Sequence, residues 1–441
     1  MKRYALQELM AWKERARRKP LLVEGARQVG KTWLMRELAK SFPKSAYLNF
    51  NDQVTAREVF EGDLSVERIM RDIGALCGID VSPGDTLIIL DEIQESERAL
   101  NALKFLRENA PELHVIAAGS LLGVAMRHRH MSFPVGQVEF LRLHPLSFRE
   151  FLEAVDESRL ESLLRSGDVR PTFRSRFIDL LKLYMYVGGM PEAVVEYAES
   201  RSLPRVREVQ RQILSSYGND FAKYTDATSV ARISAVWRSI PEQLAKENRR
   251  FAYGKVSPGG RGRDYEAAID WLTLCGLVYK VERVAKPCLP LLHYARSSAF
   301  KLFLLDTGLM GAMAGLEPRT IIGETPLFEE FRGALTEQYV HQCLARMPEL
   351  SISYWANDSG AAEVDFLVQH EGEIIPIEVK ATTNLQSKSL RTYCAKFSPS
   401  VAIRTSLGGF GVANGIYSIP LYLMEDFPTL LRQHKGGLTE R

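Results

Sequence analysis

GARQVGKT, Gly25 to Thr32, follows the apolar run PLLVE and precedes WLMRELAK, whose apolar spacing is helical. The eight residues satisfy the spacing G-x-x-x-x-G-K-[ST]. Their setting, strand before and helix after, is the one in which that spacing has a physical meaning. Gly25 and Gly30 let the backbone curl so that successive N–H groups of Ala26, Arg27, Gln28 and Val29 turn inward. The helix that begins at Lys31 brings its positive dipole end, and Thr32 and Trp33 lie in its first turn. This stretch predicts an anion cradle in which Lys31 meets the β- and γ-phosphates of a nucleotide and Thr32 ligates Mg²⁺, with Gly25 to Trp33 as the nucleotide-contacting residues.

Further apolar runs, SAYLNF, TLIILDE, HVIAAGS and VEFLRL, alternate with amphipathic stretches as far as Leu146. That rhythm predicts a parallel α/β sheet covered by helices. TLIILDE ends in two acids at the edge where open α/β sheets bind ligands. Asp91 is expected in the Mg²⁺ shell, and Glu92 is expected to orient or deprotonate an attacking water. Ser120 ends the next run, where its hydroxyl could sense a γ-phosphate; a serine in an ordinary turn is the alternative.

From 147 to 224 the pattern is almost wholly helical, broken at YVGGMPEAV. From 225 to 315 a turn, an amphipathic helix and a strand read as a winged-helix-like unit. From 316 to 441 a helix and then the runs SISYWA, EVDFLVQH and EIIPIEVKA read as a second α/β unit. With 441 residues, several domains are expected.

Lysine and arginine exceed aspartate and glutamate by only 57 to 54, so any nucleic-acid surface must be a local patch. Three basic clusters are candidates: KERARRK, RHRH at Arg127 to His130, and NRRFAYGKVSPGGRGR at Asn248 to Arg263. In the third, Arg261 and Arg263 flank the start of a recognition-type helix. Solvated faces are the alternative for all three. Five scattered cysteines with no CxxC pair argue against a zinc cluster or disulfide framework and for a reducing cytoplasm. No run of about twenty apolar residues predicts a membrane span.

In EVDFLVQHEGEIIPIEVKA, Asp365 and the pair Glu378 and Lys380 fall on successive strands. Strand alternation puts Glu378 and Lys380 on one face, where Glu378 can share a divalent metal with Asp365 while Lys380 orients a water. An exposed ion-pair stripe is the other reading of ExK.

Taken together, GARQVGKT, LIILDEIQ, AAGSLLG, LHPLSFREFL, YVGGMPEAV, YGNDFAKY and FKLFLLDTGLM resemble those of a family of uncharacterised bacterial and archaeal AAA+-type ATPases with a C-terminal domain of unknown function. The resemblance spans nearly the whole chain. It implies an ATPase core that binds ATP through Gly25 to Thr32, with Asp91 and Glu92 as its hydrolytic edge and Ser120 in the sensor position. It further implies a helical lid, a winged helix and a restriction-endonuclease-like C-terminal domain. The C-terminal motif is similar to that of PD-(D/E)xK nucleases, with Glu337 in the place of the helical carboxylate and Val364 where a proline usually stands. The fold kept as a DNA-binding module without cleavage is the alternative. Assembly into a homo-oligomer, such as a hexameric ring, with an arginine supplied in trans is implied too. Arg127, Arg129 and Arg142 lie in the stretch concerned, and none matches a finger motif.

Three functions are compatible with these motifs. One is an ATP-driven DNA-processing machine, with branched DNA such as a four-way junction as a substrate by analogy of fold. The others are a regulatory or defence ATPase switch and an ATP-gated, Mg²⁺-dependent nuclease.

Overall fold

The computed structural model describes residues 1–120, 136–167, 171–246, 249–322, 329–357, 360–383 and 387–435. The chain divides into two compact units, Met1–Pro145 with Trp271–Leu277, and Leu146–Asp270 with Val278–Arg441. Arg127 and Arg129, together with Asn248, lie outside the described residues.

In the first unit the elements are α1 (Ala5–Lys13), β1 (Leu21–Glu24), α2 (Lys31–Ala39), β2 (Lys44–Asn49), α3 (Val54–Glu58), α4 (Val66–Cys77), β3 (Thr86–Asp91), α5 (Glu97–Asn109), β4 (His114–Gly119) and β5 (Glu139–Arg142). The five strands form one sheet in the order β2-β3-β4-β1-β5, every pair parallel. β3 and β4 are buried along their whole length. This explains why TLIILD and HVIAAG read as continuous apolar runs rather than alternating ones, since helices cover both faces of a parallel sheet. Ile88, Leu90 and Ala117 join Ile69, Ile73 and Leu103 in one core. Fully burying each large aliphatic side chain contributes about 1.5–3 kcal/mol. That core fixes where the acids at the end of β3 emerge, one strand away from β1.

The second unit begins with helices α6 (Phe148–Ala154), α7 (Ser158–Arg165), α8 (Arg174–Val187), α9 (Pro191–Ser200) and α10 (Leu203–Tyr224). α6 starts on a capping box: the Glu150 amide donates to Ser147 Oγ at 3.1 Å, and the Ser147 amide donates to Glu150 Oε2 at 2.9 Å. The break at Gly188 and Gly189 is a packing necessity. A Cβ on Gly189 would stand 2.1 Å from the Leu146 carbonyl oxygen. Its amide donates to the buried Asp306 carboxylate at 2.6 Å, so the YVGGMPEAV and FKLFLLDTGLM motifs meet.

α11 (Ala227–Leu244), α12 (Tyr253–Val256) and α13 (Gly262–Leu274) follow, then β6 (Val278–Val284), β7 (Ala295–Leu304), α14 (Thr307–Met313), α15 (Pro318–Ile322) and α16 (Glu329–Leu344). The chain ends with β8 (Ser351–Ala356), β9 (Glu363–His370), β10 (Glu373–Val379), α17 (Lys388–Phe397), β11 (Ala402–Ser406), β12 (Gly411–Ala413), β13 (Ile416–Pro420) and α18 (Phe427–Lys435). These strands make a mixed eight-stranded sheet in the order β12-β13-β11-β10-β9-β8-β6-β7. The boundary expected between 315 and 316 is therefore bridged. The β6–β7 hairpin, from the stretch expected to be winged-helix-like, pairs through β6 with β8, Glu282 to Val284 lying alongside Ser353 to Trp355. A free hairpin edge would leave a row of unpaired backbone groups, and joining the sheet satisfies them. Among the described residues no helix is long and apolar enough to cross a membrane.

Candidate functional site

The loop between β1 and α2 has the strained backbone that its glycines predict. Gly25 and Gly30 have φ of +142° and +95°, and Gln28 between them has φ of +64°. A Cβ on Gly25 would lie 2.3 Å from the Leu143 carbonyl oxygen, so no larger residue fits. Ala26 and Val29 face the interior while Gln28 and Trp33 are exposed. Lys31 is buried, and its Nζ donates to the carbonyls of Gly25 at 2.9 Å and Ala26 at 2.8 Å. Burial pushes its ammonium down to about 8, against the pull of Glu92 and Asp91.

Asp91 lies beside this loop because β3 ends there. Its Oδ2 accepts from Thr32 Oγ1 at 2.8 Å and from Tyr47 Oη at 2.8 Å, and its Oδ1 accepts from the Glu92 amide at 3.1 Å. Glu92 turns through a left-handed φ of +54°. Its Oε2 accepts from Gln94 Nε2 at 2.5 Å and from Ser120 Oγ at 3.3 Å. Ser120 in turn accepts from Arg27 Nε at 3.3 Å. Lys31, Thr32, Asp91, Glu92 and Ser120 are thus gathered at the C-terminal edges of three adjacent strands, β1, β4 and β3. A paired threonine hydroxyl and aspartate carboxylate are hard oxygen donors of the kind Mg²⁺ takes, so these residues fit that ion.

Two residues of this site carry no local sequence signal. Tyr47, on β2, holds Asp91; burial and the bond to Asp91 raise its phenol, so it stays a donor. Arg3, almost fully buried, donates from Nη1 to the Val29 carbonyl at 2.8 Å and from Nη2 to the His144 carbonyl at 2.6 Å, pinning the glycine loop to the exit of β5. Arg142 stands 3.7 Å from Glu24. The cluster KERARRK is largely committed within the unit. Lys13 donates to the Ser41 carbonyl, Arg15 pairs with Glu139, Lys19 donates to the Gly136 carbonyl, and Arg18 bonds the Glu112 carbonyl and His114.

Residues 17–152 match the family model described as an AAA domain. The first unit carries a P-loop ATPase. Residues 178–320 and 332–424 match two domains of unknown function, DUF8612 and DUF4143. No curated protein matches the chain. Among solved structures, the Walker-type ATPase PABY2304 of Pyrococcus abyssi is 15% identical, covering 70% of this chain and 94% of that one, with a TM-score of 0.44. The ORC2 protein of Aeropyrum pernix, in its ADPNP–ADP complexes, is 15% identical over 70% and 91% at 0.35. The ORC1 protein of Aeropyrum pernix in complex with DNA is 15% identical over 70% and 90% at 0.30. Likenesses this distant carry no conclusion about activity or partner.

A second cluster lies in the other unit. Asp365 on β9, Glu378 on β10 and Lys380 just beyond it line a cavity of about 680 Å³, together with Lys246, Arg249 and Glu363. Glu337, fully buried on α16, belongs to the same cluster. As strand alternation predicts, Glu378 and Lys380 share a face, with Lys380 Nζ 2.7 Å from Glu378 Oε1. Two cations that the sequence reading left out complete the arrangement. Lys301 on β7 has no exposed side-chain surface and bridges Glu337 at 2.7 Å and Glu363 at 2.6 Å. Arg249 Nη1 touches Glu337 Oε2 and stands 3.2 Å from Asp365 Oδ1. The other Asp365 oxygen accepts from the Val379 amide at 2.7 Å.

Charge compensation here is uneven. Burial would raise Glu337, but Arg249 and Lys301 outweigh it and hold the carboxyl below its usual range. Burial, reinforced by Asp365, pushes Glu378 up to about 7. Burial and Glu337 raise Asp365. Among the described residues no group of three or more His, Cys, Asp or Glu is arranged to hold a metal. The structure brings the expected acids Asp365, Glu378 and Glu337 together, with the Arg249 guanidinium between Glu337 and Asp365. Lys301 had a visible signal, a lone lysine inside the apolar run AFKLFLL. Arg249 lies in NRRF, within the third candidate basic cluster, and its side chain turns into the carboxylate cluster.

Proposed function

We propose that the chain hydrolyses ATP with Mg²⁺ in its first unit and engages DNA through its second. The observation that carries the first half is the convergence of Lys31, Thr32, Asp91, Glu92 and Ser120. In this reading Lys31 moves its three donors from the Gly25 and Ala26 carbonyls to phosphate oxygens, and the N–H groups of Ala26 to Thr32 line the phosphates. Thr32 and Asp91 would hold the Mg²⁺, which would supply neutralisation of the phosphate charge. Glu92 orients the attacking water and accepts its proton. Ser120 ties Glu92 to Arg27, which positions the carboxylate beside the γ-phosphate.

For DNA, support comes from Arg261 and Arg263, both exposed at the start of α13, in a helix–turn–helix order of α11, α12 and α13 followed by a hairpin. The C-terminal cluster of Asp365, Glu378, Lys380 and Glu337 supports a second reading in which that sheet is a nuclease-like domain acting on the bound DNA, branched forms such as four-way junctions included. Homo-oligomerisation, with an arginine supplied in trans, belongs to the same proposal.

The test is ATP turnover by wild type, Lys31→Ala and Glu92→Gln with linear duplex, single-stranded and four-way-junction DNA, alongside size analysis with and without ATP. Both variants should lose at least ~100-fold in turnover, and DNA should raise the wild-type rate. A wild type that neither binds DNA nor responds to it removes the DNA half and favours a nucleotide-controlled switch. Unchanged turnover in Glu92→Gln removes the catalytic assignment.

A further inference from the structure

The C-terminal cluster holds four carboxylates, Glu337, Glu363, Asp365 and Glu378, against three cations, Arg249, Lys301 and Lys380. The cations differ in how firmly they are built in. Lys301 is sealed in the sheet with no exposed side-chain surface and serves Glu337 and Glu363 together. Arg249 comes from the segment between α11 and α12, and its side chain is 23% exposed at the mouth of the cavity.

Arg249 is also seated at a cost. Its backbone adopts a left-handed φ of +45°, a region that side-chain-bearing residues rarely occupy. Room for the guanidinium is made on α16 by Gly333, where a Cβ would stand 2.8 Å from Arg249 Nη2. The segment is anchored just after it. The Phe251 amide donates to the Phe300 carbonyl at 2.9 Å, the Ala252 amide donates to Gln243 Oε1 at 2.6 Å, and the rings of Phe251 and Phe300 stack.

Without that guanidinium, Glu337 Oε2 and Asp365 Oδ1 lose the cation between them, beside Glu378. Glu378 Oε2 is buried and, among the described residues, has no hydrogen-bond partner, although Glu378 lines the cavity. An unsatisfied buried carboxylate oxygen is costly, and it stands where a further ligand would satisfy it. With all these groups ionised, and Lys246 at the cavity wall paired with Glu242 outside the cluster, removing Arg249 leaves the carboxylates ahead of the cations by two charges, which is what one divalent ion supplies.

We propose that Arg249 is the resident cation of this site: its guanidinium fills the place of a divalent metal among Glu337, Asp365 and Glu378, and the cluster takes up a metal only when Arg249 is withdrawn. The proposal rests on reading the cluster as metal-binding in its active form. It makes the stretch Arg249 to Ala252 an autoinhibitory strap. That segment belongs to the same helix–turn–helix stretch that would meet DNA, so docking there is a route by which Arg249 leaves.

Mn²⁺ titration of the nucleotide-free full chain, read by calorimetry and by electron paramagnetic resonance of free Mn²⁺, tests this. If Arg249 occupies the site more than nine-tenths of the time, Arg249→Ala should bind one Mn²⁺ at least ~10-fold more tightly than wild type. Adding Glu378→Gln should abolish the gain. Arg249→Gln keeps donors toward both carboxylates without the charge and decides the matter should Arg249→Ala fail to fold. Equal affinity in wild type and Arg249→Ala, lost in both on adding Glu378→Gln, would overturn the occupancy while leaving the metal reading intact. A folded Arg249→Gln that binds no Mn²⁺ would overturn both.

Discussion

Replacing Arg3 by alanine should damage nucleotide binding more than its distance from the glycine loop in the chain suggests. Its guanidinium makes charge-assisted hydrogen bonds to the carbonyls of Val29 and His144 at 2.8 and 2.6 Å, and the residue is only 4% exposed. Hydrogen bonds to a charged group contribute about 1.5–3 kcal/mol each, so the truncation puts roughly 3–6 kcal/mol of local restraint at stake. How that loss divides follows from what the arginine joins. Gly25 already lies against Leu143, one residue before His144, so Arg3 holds two ends of the same close approach. Val29 and His144 can regain water only if the loop moves away from β5. The loop would then give up its preorganised curl before the whole unit unfolds. Arg3→Ala should therefore weaken binding of a fluorescent ATP analogue by about 10–100-fold, equivalent to about 1.4–2.7 kcal/mol, with the remainder seen as a lower melting temperature. Arg3→Lys, which keeps one donor cluster without the two-pronged fork, should fall between. A variant that melts lower yet binds nucleotide as wild type does would refute the restraint argument and leave Arg3 a purely structural residue.

Lys31 supplies a pH signature. Its ammonium stands at about 8 rather than 10.5 in the nucleotide-free chain because of burial. Phosphates favour the charged form, so binding above that pH requires proton uptake. ATP affinity should be flat up to pH 8 and then weaken by up to about tenfold per unit. Lys31→Arg, charged throughout, should show no such bend in equilibrium binding between pH 7 and 9.5. In the other unit, Lys301→Met should cost roughly 3–5 kcal/mol in denaturant unfolding, because it strands Glu363 and leaves Glu337 with Arg249 alone. Adding Glu337→Gln should recover part of that loss, and a Lys301→Met chain within 1 kcal/mol of wild type would contradict the ion-pair reading.

The parts that could be read in advance are those whose signal is local. Gly25, Gly30, Lys31 and Thr32 act through backbone curvature and a helix start within eight consecutive residues. β3 and β4 announced themselves as unbroken apolar runs because both sheet faces are covered. Glu378 and Lys380 share a face because strand side chains repeat every two residues. These follow from chain geometry over a few ångströms, and composition alone decided that any DNA-facing surface must be a local patch.

What only the tertiary structure decided is which distant groups share a charge or an acceptor. Arg3 reaches Val29 and His144 across 26 and 141 positions, and Arg249 reaches Glu337 and Asp365 across 88 and 116. Nothing within the few residues around Arg3 or Arg249 distinguishes a buried clasp from a solvated arginine, because burial and partner are properties of the packed core. For the same reason the sheet continuity through β6 and β8 was invisible: strand pairing depends on which edges meet, and an amphipathic or apolar run carries no record of its neighbour. The P-loop site could thus be named from sequence, while the cation that occupies the C-terminal cluster could be found only where four carboxylates had already been brought together.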